Sequence, residues 1–559
     1  MIQLMGTVTG RLRASVENSP WLWTFGLLIV LSAALLMYLR ADFGFYLDDW
    51  DLVILRSEPS DWFLPHNENI IILPAAIYQA SLSLFGMTAL PLHLIALPLF
   101  LISVVLLFFW MRSLVGDAAS VIGCAVVLFL GAAIGDVVSA FQMGYFGSAV
   151  GGLGALLLLR RNRFRNDAVA SLLLVIATLS STLVAPFLAG AAVELLFRKR
   201  GRADLKGFLR SLWILLVPLT VYLAWWIGWN MDGSQQASLE NLLKLPLYVL
   251  SAFGFAGASL TGAFPLREVV DSYIWALPGL VMAAGFIWIL RRQGRVPPEF
   301  LVGLACGLGF WALCGLNHTA AREFFTSRYQ YPGVVFLLMM LAGAFQGLRP
   351  SDRQLRWMGT LAAISIAINI AALIYAFYDT YKPYEVKNLT NLAAIDLARN
   401  TVSPEFRVGV GTDGGGSQIS ARDYLAATDR YGSLPITESL LASASAANRS
   451  RLDQLLVPAL PISPVPASEV TRVGRCRTVK ADRNAAGKLT IRPGLSLISA
   501  REDVLIRLTR FGTDPGAAAW QVAAGTPTGY LIPADRSDRP WRIGFQGQGE
   551  VTVCAARPA

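Results

Sequence analysis

Residues 42–79, DFGFYLDDWDLVILRSEPSDWFLPHNENIIILPAAIYQ, hold a group of acids whose types and spacing could do chemistry. Asp48 and Asp49 stand side by side. Asp51, Asp61, His66 and Glu68 follow, interleaved with Tyr46, Trp50 and Trp62. Two adjacent carboxylates suit a proton acceptor with a helper that orients it or raises its pKa, one able to strip a proton from a sugar hydroxyl. They also suit a cation. The string is short and common, so a loop whose acids merely face water is an equal alternative on the motif alone. His66 and Glu68, two residues apart, would hydrogen-bond an acceptor or share a divalent cation, Mg²⁺ or Mn²⁺, with the aspartates. Three histidines with no His-x-x-x-His pair exclude a stand-alone histidine metal site. His66 anchoring the loop at an interface is the competing reading.

Two further clusters join this one. GDVVSAFQMGYFGS carries Asp136 and Gln142 beside Phe141, Tyr145 and Phe146. Asp136 is a lone acid between apolar runs, so it either lines a cavity or ends a helix. The aromatic rings either stack on a sugar or sit in an interfacial belt. NHTAAREFFTSRYQYP carries His318, Arg322, Glu323, Arg328, Tyr329 and Tyr331. Guanidinium groups match phosphate bidentately, and a salt bridge to Glu323 or to the loop acids is the alternative. Lys244 and Arg267 are weaker candidates for the same role.

These residues must be held by membrane helices. The chain has 559 residues, 55% hydrophobic and 15% charged, against about 25% charged in soluble domains. Apolar runs fill residues 21–378, while 379–559 reads as a soluble sequence. Much of the +10 net charge lies in short loops between the runs, which the positive-inside tendency explains and nucleic-acid binding does not. The first run is long enough to span and lacks a cleavage site, and Arg11 and Arg13 ahead of it place the N-terminus in the cytoplasm. Spans are expected near 22–40, 90–111, 118–135, 144–159, 168–184, 186–197, 211–229, 272–290, 298–316, 332–348 and 357–378. The basic clusters at 160–165, 198–202, 291–295 and 349–356 set the parity. They make 168–197 a hairpin turning near Ala185-Pro186, and 244–264 a re-entrant or interfacial segment. The expected fold is thus a polytopic helical membrane domain, 1–378, of eleven spans with the N-terminus inside and the C-terminus outside. Segments 41–89, 136–143, 230–271 and 317–331 then share the exoplasmic side with the tail. Arginines there run against the positive-inside tendency and want an anionic partner.

The soluble domain, 379–559, begins as a continuation of the last span and stays mixed to about 469, with a turn signal at Asp413-Gly414-Gly415-Gly416-Ser417. From 470, short alternating runs such as DVLIRLTRF and WRIGFQG, parted by Gly, Pro, Asp and Asn, read as an antiparallel β-sandwich. Cys476 and Cys554 are the tail's only cysteines, near the two ends of this segment. In an oxidising exoplasm they would form a disulfide, with two free thiols as the alternative. Cys124, Cys306 and Cys314 lie in apolar runs and read as small buried hydrophobes.

The pattern resembles the GT-C superfamily of membrane glycosyltransferases, in particular its bacterial cell-envelope members. Asp48-Asp49 after the first span, Asp136 in the second loop, and Ser327-Arg328-Tyr329 followed by Pro332 carry the resemblance. It implies a polyprenyl-phosphate-linked sugar donor, a glycan or lipid acceptor, and an inner-membrane location. It makes Asp48 the general base, with Asp49 beside it, and gives the carrier phosphate to Arg328 or Arg322. No nucleotide cofactor is expected, since the donor is lipid-linked and no Rossmann-like domain is evident. The Trp-Trp-Asp motif of oligosaccharyltransferases is absent. The sandwich is similar in pattern to carbohydrate-binding modules. Two alternatives stand beside this one: a glycan polymerase or ligase using a polyprenyl pyrophosphate, and a lipid-linked glycan flippase. The flippase predicts charges at mid-membrane and internal repeats.

Overall fold

A computed structural model describes residues 20–198, 203–230, 238–269, 272–320, 322–412, 415–434, 436, 438–483, 489–512 and 518–559. Arg11 and Arg13, Lys199, Arg200 and Arg202, and Asp413-Gly414 lie outside the described residues. The chain divides into two compact units. The first takes residues up to Gly44, Glu58–Ser81 and Ala89–Thr380, and the second takes Phe45–Ser57, Leu82–Thr88 and Tyr381–Ala559.

The first unit is helical because a long apolar segment in lipid must satisfy its backbone polar groups internally. Among the described residues six helices are long and apolar enough to cross a membrane. They are Pro20–Arg40, Leu90–Val115, Trp213–Asn230, Leu239–Thr261, Pro298–Leu316 and Asp352–Leu397, the last continuing into the second unit. Asp117–Leu128 and Gly131–Val137, bent by 43°, make a seventh if they form one span. This is a multi-pass membrane protein.

The helices differ from expectation in instructive places. Segment 244–264 is no re-entrant loop: up to Thr261 it belongs to one unbroken helix, Leu239–Thr261. Lys244, which argued against a span, is paired one turn back with Glu240 at 2.6 Å. The Ser238 hydroxyl caps the Asn241 N–H, and Gly262 at φ 82° ends the helix. Ile72–Phe85 is an apolar helix within a stretch expected to be loop. At about 1.5 Å per residue its 14 residues fall well short of a bilayer core. Runs 168–184, 272–290 and 332–348 form Phe164–Ser180, Ala276–Gln293 and Gln330–Ala344, which do not reach the length and hydropathy of a span. Met143–Leu159 and Val184–Leu196 are apolar but short. The break between Phe164–Ser180 and Val184–Leu196 falls at 181–183, so Pro186 sits inside a first turn, where its missing N–H costs little.

The second unit carries the strands. They are β1 (Arg407–Thr412), β2 (Gly415–Ser420), β3 (Ser463–Pro466), β4 (Val470–Lys480), β5 (Leu489–Ile491) and β6 (Gly494–Ala500), then β7 (Val504–Thr509), β8 (Ala518–Val522), β9 (Thr528–Ile532), β10 (Trp541–Gly547) and β11 (Glu550–Pro558). β1 and β2 form a hairpin. The others build two antiparallel sheets, ordered β5-β10-β7-β8 and β3-β9-β6-β11-β4. Period-two alternation gives each a buried face: Val504, Ile506, Leu508, Ile543 and Phe545 in one, Ile498, Ala500, Val551 and Val553 in the other. Cys476 on β4 lies directly opposite Cys554 on β11, and the two are disulfide-bonded.

Helix Ala446–Ala459 is stitched to the end of β7 by one side chain. The buried Asp453 carboxylate accepts the backbone N–H groups of Arg510 at 3.0 Å, Phe511 at 3.0 Å and Gly512 at 2.8 Å. Asp453→Ala leaves three buried donors unmet and should destabilise this unit by about 3 kcal/mol. Chemical denaturation followed by tryptophan fluorescence should show a lowered midpoint at an unchanged slope.

Candidate functional site

In the first unit the polar residues converge where helices break. The helix that starts at Asp117 stops at Leu128 and resumes, bent, at Gly131. A break exposes backbone groups that a membrane interior cannot hydrate. Asn369, wholly buried on the last long helix, answers part of this: its Oδ1 accepts the Ala132 N–H at 3.1 Å. Its amide donates to the Ser365 carbonyl at 3.0 Å. Gly131 is required there, since a Cβ would run into the backbone of Asn369. Arg40, also wholly buried, donates through Nε to the Val137 carbonyl at 2.8 Å and through Nη1 to the His93 carbonyl at 3.4 Å.

Between these anchors sits Asp136. It is fully buried; the Tyr331 backbone N–H acts on its carboxylate, and among the described residues no side chain hydrogen-bonds it. The Oε1 of Gln142, six residues on and also buried, lacks a donor among the described residues. The charge of Arg328 acts on Asp136. Arg328 lies over the Tyr329 ring, 5.5 Å from its centroid, and burial raises the Tyr329 hydroxyl to about 12, so it remains a neutral donor. Gln330 pins the 317–331 loop by donating to the carbonyls of Phe324 at 2.9 Å and Thr326 at 3.1 Å, while accepting from Ser259 at 3.0 Å. Tyr331 donates to Ser103 at 2.6 Å. Tyr248, Phe310, Cys314, Phe324, Tyr329 and Gln330 line a narrow, mostly aromatic crevice beside this loop.

His66 and Glu68 belong to the same unit. Asn67 and Glu68 both take left-handed conformations, φ 47° and 67°, closing a two-residue turn between His66 and Asn69. Glu68 reaches Arg322 at 3.9 Å, while His318 meets Glu323 at 3.2 Å. The His66 ring lies 4.9 Å from that of Phe141. The structure therefore gathers Asp136, Gln142, Arg322, Arg328, Tyr329, His66 and Glu68 in one unit.

Asp48 and Asp49 fall in the other unit. Leu47 before them is left-handed at φ 45°, which a leucine adopts only under constraint. The reason is local. Asp49 turns inward, fully buried, and its Oδ2 accepts the Tyr46 N–H at 2.7 Å, opening helix Asp49–Ile54. The paired acids thus differ: Asp49 holds the turn and Asp48 is half-buried at its edge. Tyr46 packs on Tyr381 at 4.9 Å, and its hydroxyl is pushed far above the usual range by burial and by Tyr381, Tyr384 and both aspartates. Asp51 pairs with the buried Arg56 at 2.9 Å. Arg430 donates to the Ser57 carbonyl at 3.0 Å.

Among the described residues no three His, Cys, Asp or Glu side chains group as a metal ion would require. The sequence singled out neither Arg40, Asn369 nor Gln330. Asn369, a polar residue inside an apolar run, was the signal available. Comparison of the chain with protein-family models, curated proteins and solved structures yields no match.

Two contrasts follow. Leu47→Gly should leave the stability of the second unit about unchanged, while Leu47→Val should cost more than about 1 kcal/mol in thermal or chemical unfolding, since a β-branched side chain tolerates positive φ worst. In the first unit, Asp136→Leu should not lower the melting temperature, because the cost of desolvating its carboxylate outweighs what the Tyr331 N–H and the Arg328 charge return. Asp167→Leu should lower it by several degrees, because it strands Arg198, whose bond to Asp167 is 2.5 Å. Scanning fluorimetry in one detergent reads both.

Proposed function

We propose that the chain is a GT-C-type glycosyltransferase that moves a sugar, with inversion, from a polyprenyl-phosphate carrier to an envelope glycan or lipid acceptor. One observation carries the reading: Arg322 and Arg328 share a helical, apolar unit with the buried carboxylate of Asp136, on which the Arg328 charge acts. A lipid-linked sugar phosphate offers three chemistries, an isoprenoid chain, an anion and hydroxyl donors. Apolar helices, guanidinium groups and buried carboxylate and amide oxygens complement them in turn.

Asp48 takes the proton from the acceptor hydroxyl, and the freed oxygen attacks the anomeric carbon. The bond from that carbon to the phosphate oxygen breaks, and the lipid phosphate leaves with its charge met by Arg328 or Arg322. Asp49 keeps the turn that presents Asp48. Asp136, Gln142, His66, Glu68 and Tyr329 bind the donor or acceptor. A divalent cation is not needed for this balance.

The membrane topology belongs to the same proposal: eleven crossings in a bacterial inner membrane, N-terminus cytoplasmic, tail periplasmic. The parity between the basic clusters at 198–202 and 291–295 survives if Leu239–Thr261 takes the crossing first given to 272–290. A flippase for lipid-linked glycans is the second reading. The broken helix carrying buried Asp136 favours it, since discontinuous helices and buried acids mark transport sites.

The purified protein should transfer sugar from a polyprenyl-phosphate-sugar panel to envelope glycan acceptors. Asp48→Asn should lose roughly 10²–10⁴-fold in rate, and Arg328→Ala should weaken donor use, with both variants folded. Transfer undiminished in Asp48→Asn would remove Asp48 as the base. Movement of lipid-linked glycan across vesicles without transfer would establish the flippase instead.

A further inference from the structure

β4 ends the five-stranded sheet and, among the described residues, pairs only with β11. Eight of its eleven residues are exposed and none is buried. Arg472, Arg475, Arg477 and Lys480 all face solvent along it, and none makes an ion pair among the described residues. The strand itself carries no acid. Its register places the cations on both faces. Lys480 lies opposite Glu550 and Arg472 opposite Ala556, on the face of the Cys476–Cys554 disulfide, while Arg477 lies opposite Val553 on the other.

We propose that β4 is a docking edge for an acidic polypeptide segment that adds to the sheet as an extended strand. Strand addition uses the unpaired backbone groups of an edge for affinity and the alternating side chains for selectivity. An extended acidic segment sends successive carboxylates to alternate faces, and so meets Arg477 on one and Lys480 and Arg472 on the other. A flat anionic lipid surface reaches only one face. A second copy of β4 is repelled, since it sets arginine against arginine. The disulfide braces the strand so that little ordering remains for binding. Guarding is the competing role for such charges, because cations on an edge also discourage pairing.

The test uses the full-length protein in detergent and a fluorescent nine-residue peptide whose glutamates come in adjacent pairs, separated by threonine and valine, so that carboxylates reach both faces. Its twin has the same sequence with alternate backbone amides N-methylated, which keeps the charge and removes half the donors. Anisotropy should show binding of the first peptide. Affinity should fall about tenfold or more in R472Q/R475Q/R477Q/K480Q, from loss of several ion pairs, and be lost with the methylated twin. A free-thiol count and tryptophan fluorescence establish that the variant keeps its disulfide and fold. Equal binding of the twin would reduce the effect to plain electrostatics and overturn strand addition. Stronger capture by anionic vesicles or by polygalacturonate would overturn the polypeptide partner. No binding at all would leave the cations as edge guards and end the proposal.

Discussion

The break between Leu128 and Gly131 is the constraint on which the first unit's polar cluster depends. In an apolar interior an interrupted helix is permitted only where other groups replace its lost hydrogen bonds. Asn369 supplies an acceptor from one side, and Arg40 holds the Val137 carbonyl from the other. Gly131 gives the room that lets the last long helix approach. With these in place, Asp136 is carried on a short helix, Ile134–Val137, whose direction is set by neighbours rather than by the helix before the break. A straight helix would have kept its internal hydrogen bonds without these partners. The interruption is therefore an expense that the surrounding side chains are arranged to offset.

Three ways of treating buried charge stand side by side in this protein. Arg198 with Asp167, and Arg510 with Asp535 at 2.6 Å, are paired, as the cost of removing ions from water demands. Asp136 is treated otherwise: the Tyr331 N–H and the Arg328 charge act on it, but among the described residues no side chain hydrogen-bonds its carboxylate. Arg40 is a third case: among the described residues it donates to carbonyl groups, which satisfy N–H donors without neutralising its charge. Groups left short of their partners are where a ligand gains most, because the protein has already desolvated them.

How much was legible in the sequence follows from the range of each interaction. The β-strands of the tail were, since alternation and turn residues are written within a few positions of each other, and so was the cysteine pair, the only two in that region. Helix lengths were less so. Lys244 reads as a barrier to a span only when taken apart from Glu240, its ion-pair partner one turn away. The clusters at 136–142 and 317–331 announced themselves by polarity, but what holds them did not: Arg40 and Val137 are 97 residues apart, and Ala132 and Asn369 are 237 apart. The division of labour between Asp48 and Asp49 was hidden for a different reason. It depends on a backbone angle at Leu47, and no pattern of residue types encodes that angle.

The second unit is assembled from segments distant along the chain, and this has a consequence for biogenesis. Phe45–Ser57 and Leu82–Thr88 emerge from the ribosome early, whereas their partners begin at Tyr381, roughly three hundred residues later. At about 5–20 residues per second, that is a wait on the order of half a minute. During it the Leu47 turn has neither Tyr381 to pack on nor Arg430 to hold Ser57. The membrane helices can insert as they are made, but Asp48 reaches its final setting only when the last third of the chain has been translated. Folding of this early segment therefore waits on the tail, and a chain that stopped before Tyr381 would leave the Leu47 turn without either partner.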